Sequence, residues 1–145
     1  MTEHISKAEW RKIPCRKPRV EREHKEQATL FKWARLMEKH IPELALLFAI
    51  PNGGHRNKAT VGKLKAEGVK AGVPDICLPV ACGQYHGLFI ELKAEGGRPT
   101  DAQRNWLLAL NAHGYATRLC FGWEDARKTI DAYLKFGPPL GEGVE

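Results

Sequence analysis

Apolar residues in the first half of the chain follow the spacing of two helices and one strand. Between residues 21 and 40 they recur every three or four positions, as on one face of a helix, and Pro42 ends that pattern. The unbroken apolar run over residues 44–50 is typical of a strand buried on both faces. A second helix is predicted over residues 58–67, with Gly68 as the glycine that ends it.

Two further apolar runs, residues 76–80 and 87–93, predict strands that pair as a hairpin through the turn at residues 81–85. The remaining elements are a helix that Thr100 caps and that reaches about Ala112, a strand over residues 115–121 and a helix over residues 123–136. The predicted order is therefore αβαββαβα. This alternation predicts an α/β fold in which helices flank both faces of a central mixed four-stranded sheet.

The length of 145 residues suits one domain with a single core. We expect this domain to span residues 21–136, between a flexible basic arm over residues 1–20 and a flexible tail over residues 137–145. The net charge of +6 is concentrated in the arm, with six Lys/Arg against two acids, and in residues 51–72, with five against one. Such basic blocks favour a polyanionic partner, most simply nucleic acid.

Several classes of protein are excluded by what the sequence lacks. No apolar run approaches the roughly 18 residues of a membrane helix, and residues 1–7 lack a signal-peptide core, so we expect a cytoplasmic protein without membrane contact. The histidines show no zinc-hydrolase spacing, and there is no G-x-x-x-x-G-K-[ST] motif to indicate a nucleotide cofactor. The four cysteines form no C-x-x-C pair and lie mostly in apolar patterns, which predicts reduced, buried thiols.

Three charged residues lie where the predicted hairpin would bring them together. Asp75 follows Pro74 and opens the first strand, whereas Glu91 and Lys93 close the second. Since side chains alternate along a strand, Glu91 and Lys93 share one face, and antiparallel pairing places Asp75 beside Glu91. Two carboxylates can hold Mg²⁺ or Mn²⁺, which activates water, and a nearby ammonium can stabilise attack on a phosphate. The sequence therefore predicts metal-dependent hydrolysis of phosphodiester bonds.

A third carboxylate is available on the first helix, where two glutamates compete. Glu23 lies four residues before Gln27, and this stripe continues into the apolar face of the helix. Glu26 lies one turn before Leu30 and is an alternative ligand. The spacing leaves both glutamates open as ligands. An acid near the start of a helix is also stabilised by the positive end of the helix dipole, without any metal.

Polar residues follow the predicted strand over residues 44–50, at the edge where α/β sheets collect ligands. They include Asn52, Arg56 and Lys58, of which the two cations are the more direct candidates for phosphate contacts. Further along the chain, Thr100-x-x-Gln103 predicts a capping box, in which the glutamine bonds back to the start of its own helix.

The pattern Pro74-Asp75 followed by Glu91-Leu92-Lys93 resembles the PD-(D/E)XK nuclease superfamily. Likeness to the VRR-NUC family within it extends to the first helix, Pro51-Asn52-Gly53-Gly54, residues 68–75 and the helix that starts at Thr100. These pieces span about residues 21–135. The resemblance implies a restriction-endonuclease-like core and a metal-dependent nuclease, often phage-borne, whose stand-alone members resemble Holliday-junction resolvases and act as dimers.

The resemblance also implies roles for individual residues. Glu23 matches the family's first-helix glutamate and is favoured over Glu26 as a metal ligand. The backbone carbonyl of Leu92 would complete the ligand set, and Gln103 would lie near the active site. We interpret the protein as a structure-selective endonuclease that acts as a homodimer on branched or duplex DNA. The alternatives are a non-catalytic nucleic-acid-binding module and a restriction-type or flap nuclease with the same site.

Overall fold

The computed structural model describes residues 18–51 and 57–136, and the predicted order αβαββαβα is confirmed there. The elements are helix α1 (Arg19–Met37), a 3-10 helix (Pro42–Leu46), strand β1 (Phe48–Ala49), helix α2 (Lys58–Ala66), strands β2 (Ile76–Leu78) and β3 (Leu88–Lys93), helix α3 (Asp101–Ala112), strand β4 (Ala116–Phe121) and helix α4 (Trp123–Phe136). Most of the expected arm (residues 1–17), the predicted contacts Asn52 and Arg56, and the expected tail over residues 137–145 lie outside the described residues.

The four strands form one mixed sheet in the order β1-β2-β3-β4. Strand β2 pairs antiparallel with β1 and with β3, whereas β3 pairs in parallel with β4. The β2–β3 pairing confirms the predicted hairpin. Parallel strands need a long crossover connection, and α3 provides it between β3 and β4.

Alternation along β3 divides the sheet into two faces. The even-numbered residues of β3 belong to the buried core, together with Leu30 of α1 and Ile130 of α4. The odd-numbered residues point to the opposite face, where Glu91 contacts Gln103 of α3. Helices therefore cover both faces, as predicted, and the polar side chains of β3 lie between the sheet and α3.

The predicted buried strand over residues 44–50 is wrong, because most of the run forms a different element. Its first part belongs to the 3-10 helix, and only the two exposed residues of β1 pair as a strand. Leu44 and Leu47 are the buried residues of the run, and their three-residue interval is one turn of 3-10 helix. Strand β1 lies at the edge of the sheet, where a single neighbouring strand pairs with it.

Helix boundaries otherwise follow the sequence closely. Helices α3 and α4 begin and end at the predicted residues, and α2 ends one residue early. Helix α1 begins at Arg19, inside the stretch expected to belong to the arm, and ends at Met37 rather than near His40. No helix in the described part of the chain is long and apolar enough to cross a membrane.

The connection between α2 and β2 is fixed where it crosses α3. Gly72 has a φ of +86°, and a Cβ at this position would lie 2.8 Å from the backbone carbonyl carbon of Ala102. The carbonyl of Ala71 accepts a hydrogen bond from the Trp106 indole at 3.1 Å. These contacts hold the chain against α3 shortly before Asp75 and strand β2.

Gly72→Ala should lower the free energy of unfolding by about 3 kcal/mol, because left-handed backbone strain and a steric clash add together. Gly68→Ala is the matched control. Gly68 also has a positive φ, +96°, but no atom lies within 4 Å of its Cβ position, so strain alone should cost about 1 kcal/mol. Urea unfolding measures both values, and equal losses would show that the contact with α3 does not constrain the connection.

Candidate active site

Asp75 is tied by hydrogen bonds to the strands on both sides of it. It lies one residue before β2, opposite Glu91 when the β2–β3 register is extended by one pair. Its Oδ2 accepts a hydrogen bond from the backbone N–H of Leu92 at 2.9 Å. Its own carbonyl accepts from the N–H of Ile50, directly after β1, at 2.7 Å. The predicted convergence of Asp75 and Glu91 is therefore present, and the backbone around it is fixed.

Glu91 is a buried carboxylate with one satisfied oxygen and one free oxygen. The residue is 1% exposed. Its Oε1 accepts from Lys93 Nζ at 3.0 Å and from Gln103 Nε2 at 2.6 Å. Its Oε2 is buried and has no hydrogen-bond partner among the described residues. Because an unsatisfied buried oxygen is costly, this atom marks the position at which the site is incomplete.

Gln103 carries out two tasks with one amide group. Its Oε1 accepts a hydrogen bond from the backbone N–H of Thr100 at 2.8 Å. The backbone N–H of Gln103 donates to Thr100 Oγ1 at 3.2 Å, which completes the predicted capping box. Since the amide oxygen is held by the cap, the amide nitrogen is directed towards Glu91. The start of α3 therefore fixes the orientation of the buried carboxylate.

The structure gives the two competing glutamates of α1 different surroundings. Glu26 Oε2 accepts a hydrogen bond from the backbone N–H of Trp123 at 2.7 Å, at the first residue of α4. Glu23 Oε1 is buried without a hydrogen-bond partner in the described ranges, and it lies 3.7 Å from Nε of Arg19. Glu26 therefore has a structural task, whereas Glu23 makes an ion pair with the exposed Arg19 on its own helix.

Gly97 contributes to the site in a way that the sequence analysis missed. A Cβ at this buried position would lie 3.4 Å from Glu23 Oε1 and 3.2 Å from the Cβ of Lys93. The glycine thus leaves room for Glu23 to approach the end of β3. The sequence does not reveal this role, because the pair Gly96-Gly97 carries no signal that a helix distant in sequence packs there.

Of the three predicted phosphate contacts, Lys58 alone belongs to the residues that the structure describes. Lys58 is exposed at the first position of α2, and Asn52 and Arg56 lie outside the described residues. His86 packs edge-on against Tyr115 and covers Gly114, which gives it a structural role. Cys77 and Cys120 are buried free thiols, as predicted, and Cys82 is a half-buried one.

Comparison with known proteins identifies the family. The family model for the VRR-NUC domain matches residues 7–123, most of the chain. The chain belongs to the VRR-NUC family. A solved structure described as a VRR_NUC domain protein is 29% identical, with a TM-score of 0.68 over 80% of this chain and 90% of that chain. No curated protein matches the sequence. VRR-NUC is a family of nuclease domains, so the candidate site lies in a nuclease fold.

The VRR-NUC site concentrates negative charge in a dry environment. Burial, and then the charge of Asp75, raise the pKa of Glu91 to about 7, although Lys93 opposes the rise. Burial also raises the pKa of Asp75, against the effect of the Leu92 N–H and of Lys93. Glu91 is buried and Asp75 is half-buried, so this pair sets two acids against one buried cation, Lys93. The site therefore favours an additional proton or an additional cation.

The donor set fits a hard divalent cation that keeps part of its water shell. Within residues 18–51 and 57–136, no three His, Cys, Asp or Glu side chains are grouped so that they could hold a metal ion. Glu23 therefore does not form such a group with Asp75 and Glu91. Mg²⁺ binds through one or two carboxylates and takes its other ligands from water and phosphate. The N–H and C=O of one strand residue point to the same edge, so the Leu92 carbonyl also faces the side of Asp75.

Without divalent metal, the stability of the protein should fall as the pH rises from 5 to 8. A folded-state pKa above the ordinary 4.5 means that the folded chain holds a proton that the unfolded chain releases, so rising pH favours unfolding up to about pH 7. Glu91→Gln should remove up to about 3 kcal/mol of this pH dependence. Chemical denaturation in EDTA at both pH values measures it, and an identical pH dependence in the two proteins would contradict the assignment.

Glu26→Ala should lower the free energy of unfolding by about 2 kcal/mol, because it removes a charged acceptor from the N-terminus of α4. Glu23→Ala is the matched control on the same helix, and it should leave stability within about 0.5 kcal/mol of the wild type. Thermal and urea unfolding compare the two variants. A greater loss in Glu23→Ala would reverse the division of tasks between these glutamates.

Proposed function

We propose that the protein is an endonuclease that hydrolyses phosphodiester bonds in DNA with Mg²⁺ or Mn²⁺. The observation that carries the proposal is the free Oε2 of Glu91, a buried carboxylate oxygen beside Asp75. A protein that only binds DNA has no need to place a buried carboxylate beside a half-buried one at such electrostatic cost. A bound divalent cation would accept this oxygen as a ligand and replace the proton that the raised pKa favours.

Asp75 and Glu91 would hold the cation, together with the backbone carbonyl of Leu92. Glu23 is the third carboxylate of the proposed set, and its side chain would have to approach the pair. When bound, the ion would supply an acidified water and neutralise charge on the phosphate. The Leu92 N–H keeps Asp75 in place for this task, and Gln103 holds Glu91.

Lys93 is the proposed electrostatic catalyst. It is buried on the same face as Glu91, with its Nζ 3.0 Å from Glu91 Oε1. An ammonium group in a site with little water interacts strongly with charge that develops on an attacking water or on the phosphate oxygens. Its pairing with Glu91 positions it before the substrate arrives, so little reorganisation is needed during the reaction.

The proposed substrate is branched or duplex DNA, bound through Lys58, Asn52 and Arg56. We further propose a homodimer, because two opposed cuts in a four-way junction need two sites related by a two-fold axis. The resemblance to resolvase-like relatives supports this part of the proposal. Sedimentation at the concentrations used for cleavage tests it, and a monomer that cuts junctions would leave a flap or single-strand nuclease as the better assignment.

Asp75→Ala or Glu91→Ala should abolish metal-dependent cleavage while DNA binding persists, because each removes a proposed ligand and a negative charge that repels phosphate. The assay compares junction, flap, duplex and single-stranded DNAs of equal length in Mg²⁺, Mn²⁺ or EDTA.

Lys93→Ala should cleave about 10²–10³-fold more slowly. Its affinity for Mn²⁺ should persist, because an ammonium group is not a ligand. Cleavage by Asp75→Ala at the wild-type rate would refute the proposal.

A further inference from the structure

Helix α2 differs from the other helices because it packs against almost nothing. Alone among the helices that the structure describes, it contains no buried residue. Only Leu64 is half-buried, and Val61 remains 51% exposed. A surface helix normally buries one apolar face, and most of the stability of a short helix comes from that packing. A helix of nine residues without it needs another source of stability.

The chain reaches α2 and returns from it at the edge of the active site. The excursion leaves after Ile50 and ends before Asp75, and these two residues are hydrogen-bonded to each other at 2.7 Å. On its return, the chain crosses the start of α3, where Gly72 lies against Ala102. Helix α2 is therefore carried on a segment whose two ends are fixed beside the carboxylate pair.

The exposed side of α2 is basic. Lys58 and Lys65 are both exposed and lie seven residues, about two turns, apart, so they share one side of the helix. Residues 57–74 contain four lysines and a single acid, Glu67. None of these lysines has an ion-pair partner among the residues that the structure describes. This face therefore presents uncompensated positive charge to solvent, which is complementary to a phosphate backbone.

We propose that α2 is a docking helix for the duplex arm next to the cleaved bond, and that Lys58 and Lys65 contact its phosphates. The inference rests on the proposed nuclease function and extends it by a specific interaction surface. The two lysines are about 10.5 Å apart along the helix axis. That distance spans roughly three base-pair rises, so both can reach phosphates of one strand.

The helix is stabilised in full only when DNA covers it. Its own stabilising features are local: the Asn57 side chain accepts from the Thr60 N–H at 2.8 Å, and Gly68 follows its last turn with a φ of +96°. A short helix supported only by caps is marginal in water. Binding of phosphate along its exposed face therefore couples helix formation to DNA binding.

The test is equilibrium binding of a fluorescent 20-base-pair duplex in EDTA, at several salt concentrations, to Lys58→Gln/Lys65→Gln. Glutamine preserves helix propensity, and the two changes lie at opposite ends of α2, so their effects on its dipole oppose each other. Affinity at 0.1 M salt should fall by about ten- to a hundredfold, and the slope of log affinity against log salt should decrease by about 1.8. Lys65→Gln alone should remove about 0.9 of that slope.

The matched control is Lys128→Gln/Lys135→Gln, with the same charge change and the same seven-residue spacing on the exposed side of α4. Its affinity should stay within about twofold of the wild type, and its salt slope should be unchanged. An equal loss in both double variants would reduce the effect to overall charge and overturn the inference. Wild-type affinity in the α2 variant would also overturn it and remove Lys58 from the proposed DNA contacts, while leaving the proposed cleavage chemistry intact. A wild-type protein that binds no DNA would overturn both proposals.

Hydrogen exchange supplies a second readout. Amides of residues 58–66 should exchange quickly in the free protein and at least about tenfold more slowly with the duplex bound. Amides of α3 provide the internal control and should change little. Strong protection of α2 in the free protein, or unchanged exchange on binding, would contradict coupled helix formation.

Discussion

The surroundings of the site depend on one costly arrangement, the burial of Glu91 next to Asp75. A carboxylate that is 1% exposed loses its hydration, and the neighbouring acid adds repulsion. Three donors compensate part of this cost. Lys93 and Gln103 bond to Glu91 Oε1, and the backbone N–H of Leu92 bonds to Asp75 Oδ2. The compensation ends at Glu91 Oε2, which has no partner in the described residues. The fold thus maintains an arrangement that a cation or a proton would complete.

The sheet register explains how such an arrangement is held in place. Strand β3 is central, so the side chains of Glu91 and Lys93 are enclosed between the sheet and α3 instead of facing solvent. The antiparallel β2 brings Asp75 to the end of β3, and the short β1 fixes the Asp75 carbonyl through Ile50. A strand of two residues is sufficient for that task, and the chain can then leave the sheet for the basic helix α2.

The central part of this arrangement could be predicted, because it depends on local pattern alone. Strand alternation and one hairpin bring Asp75 and Glu91 together, and the capping box at Gln103 is visible as a four-residue motif. The prediction over residues 44–50 was wrong because an apolar run does not distinguish a buried strand from a 3-10 turn followed by an edge strand.

Other features depend on contacts that no local pattern contains. Glu26 bonds to Trp123, 97 positions away, so its role in α4 could not be separated from that of Glu23 by helical spacing. The room that Gly97 leaves for Glu23 likewise arises from the packing of α1 against the end of β3. The exposure of α2 was also missed, because its composition is compatible with an ordinary packed helix.

The proposed divalent site is tested most directly by diffraction from crystals soaked in Mn²⁺, recorded where manganese scatters anomalously. The account predicts one anomalous peak within about 2.5 Å of Glu91 Oε2 and of a carboxylate oxygen of Asp75. Crystals of Glu91→Gln soaked in the same way should lack that peak. Full occupancy of manganese elsewhere in the wild-type protein, with the carboxylate pair free of metal, would contradict the account.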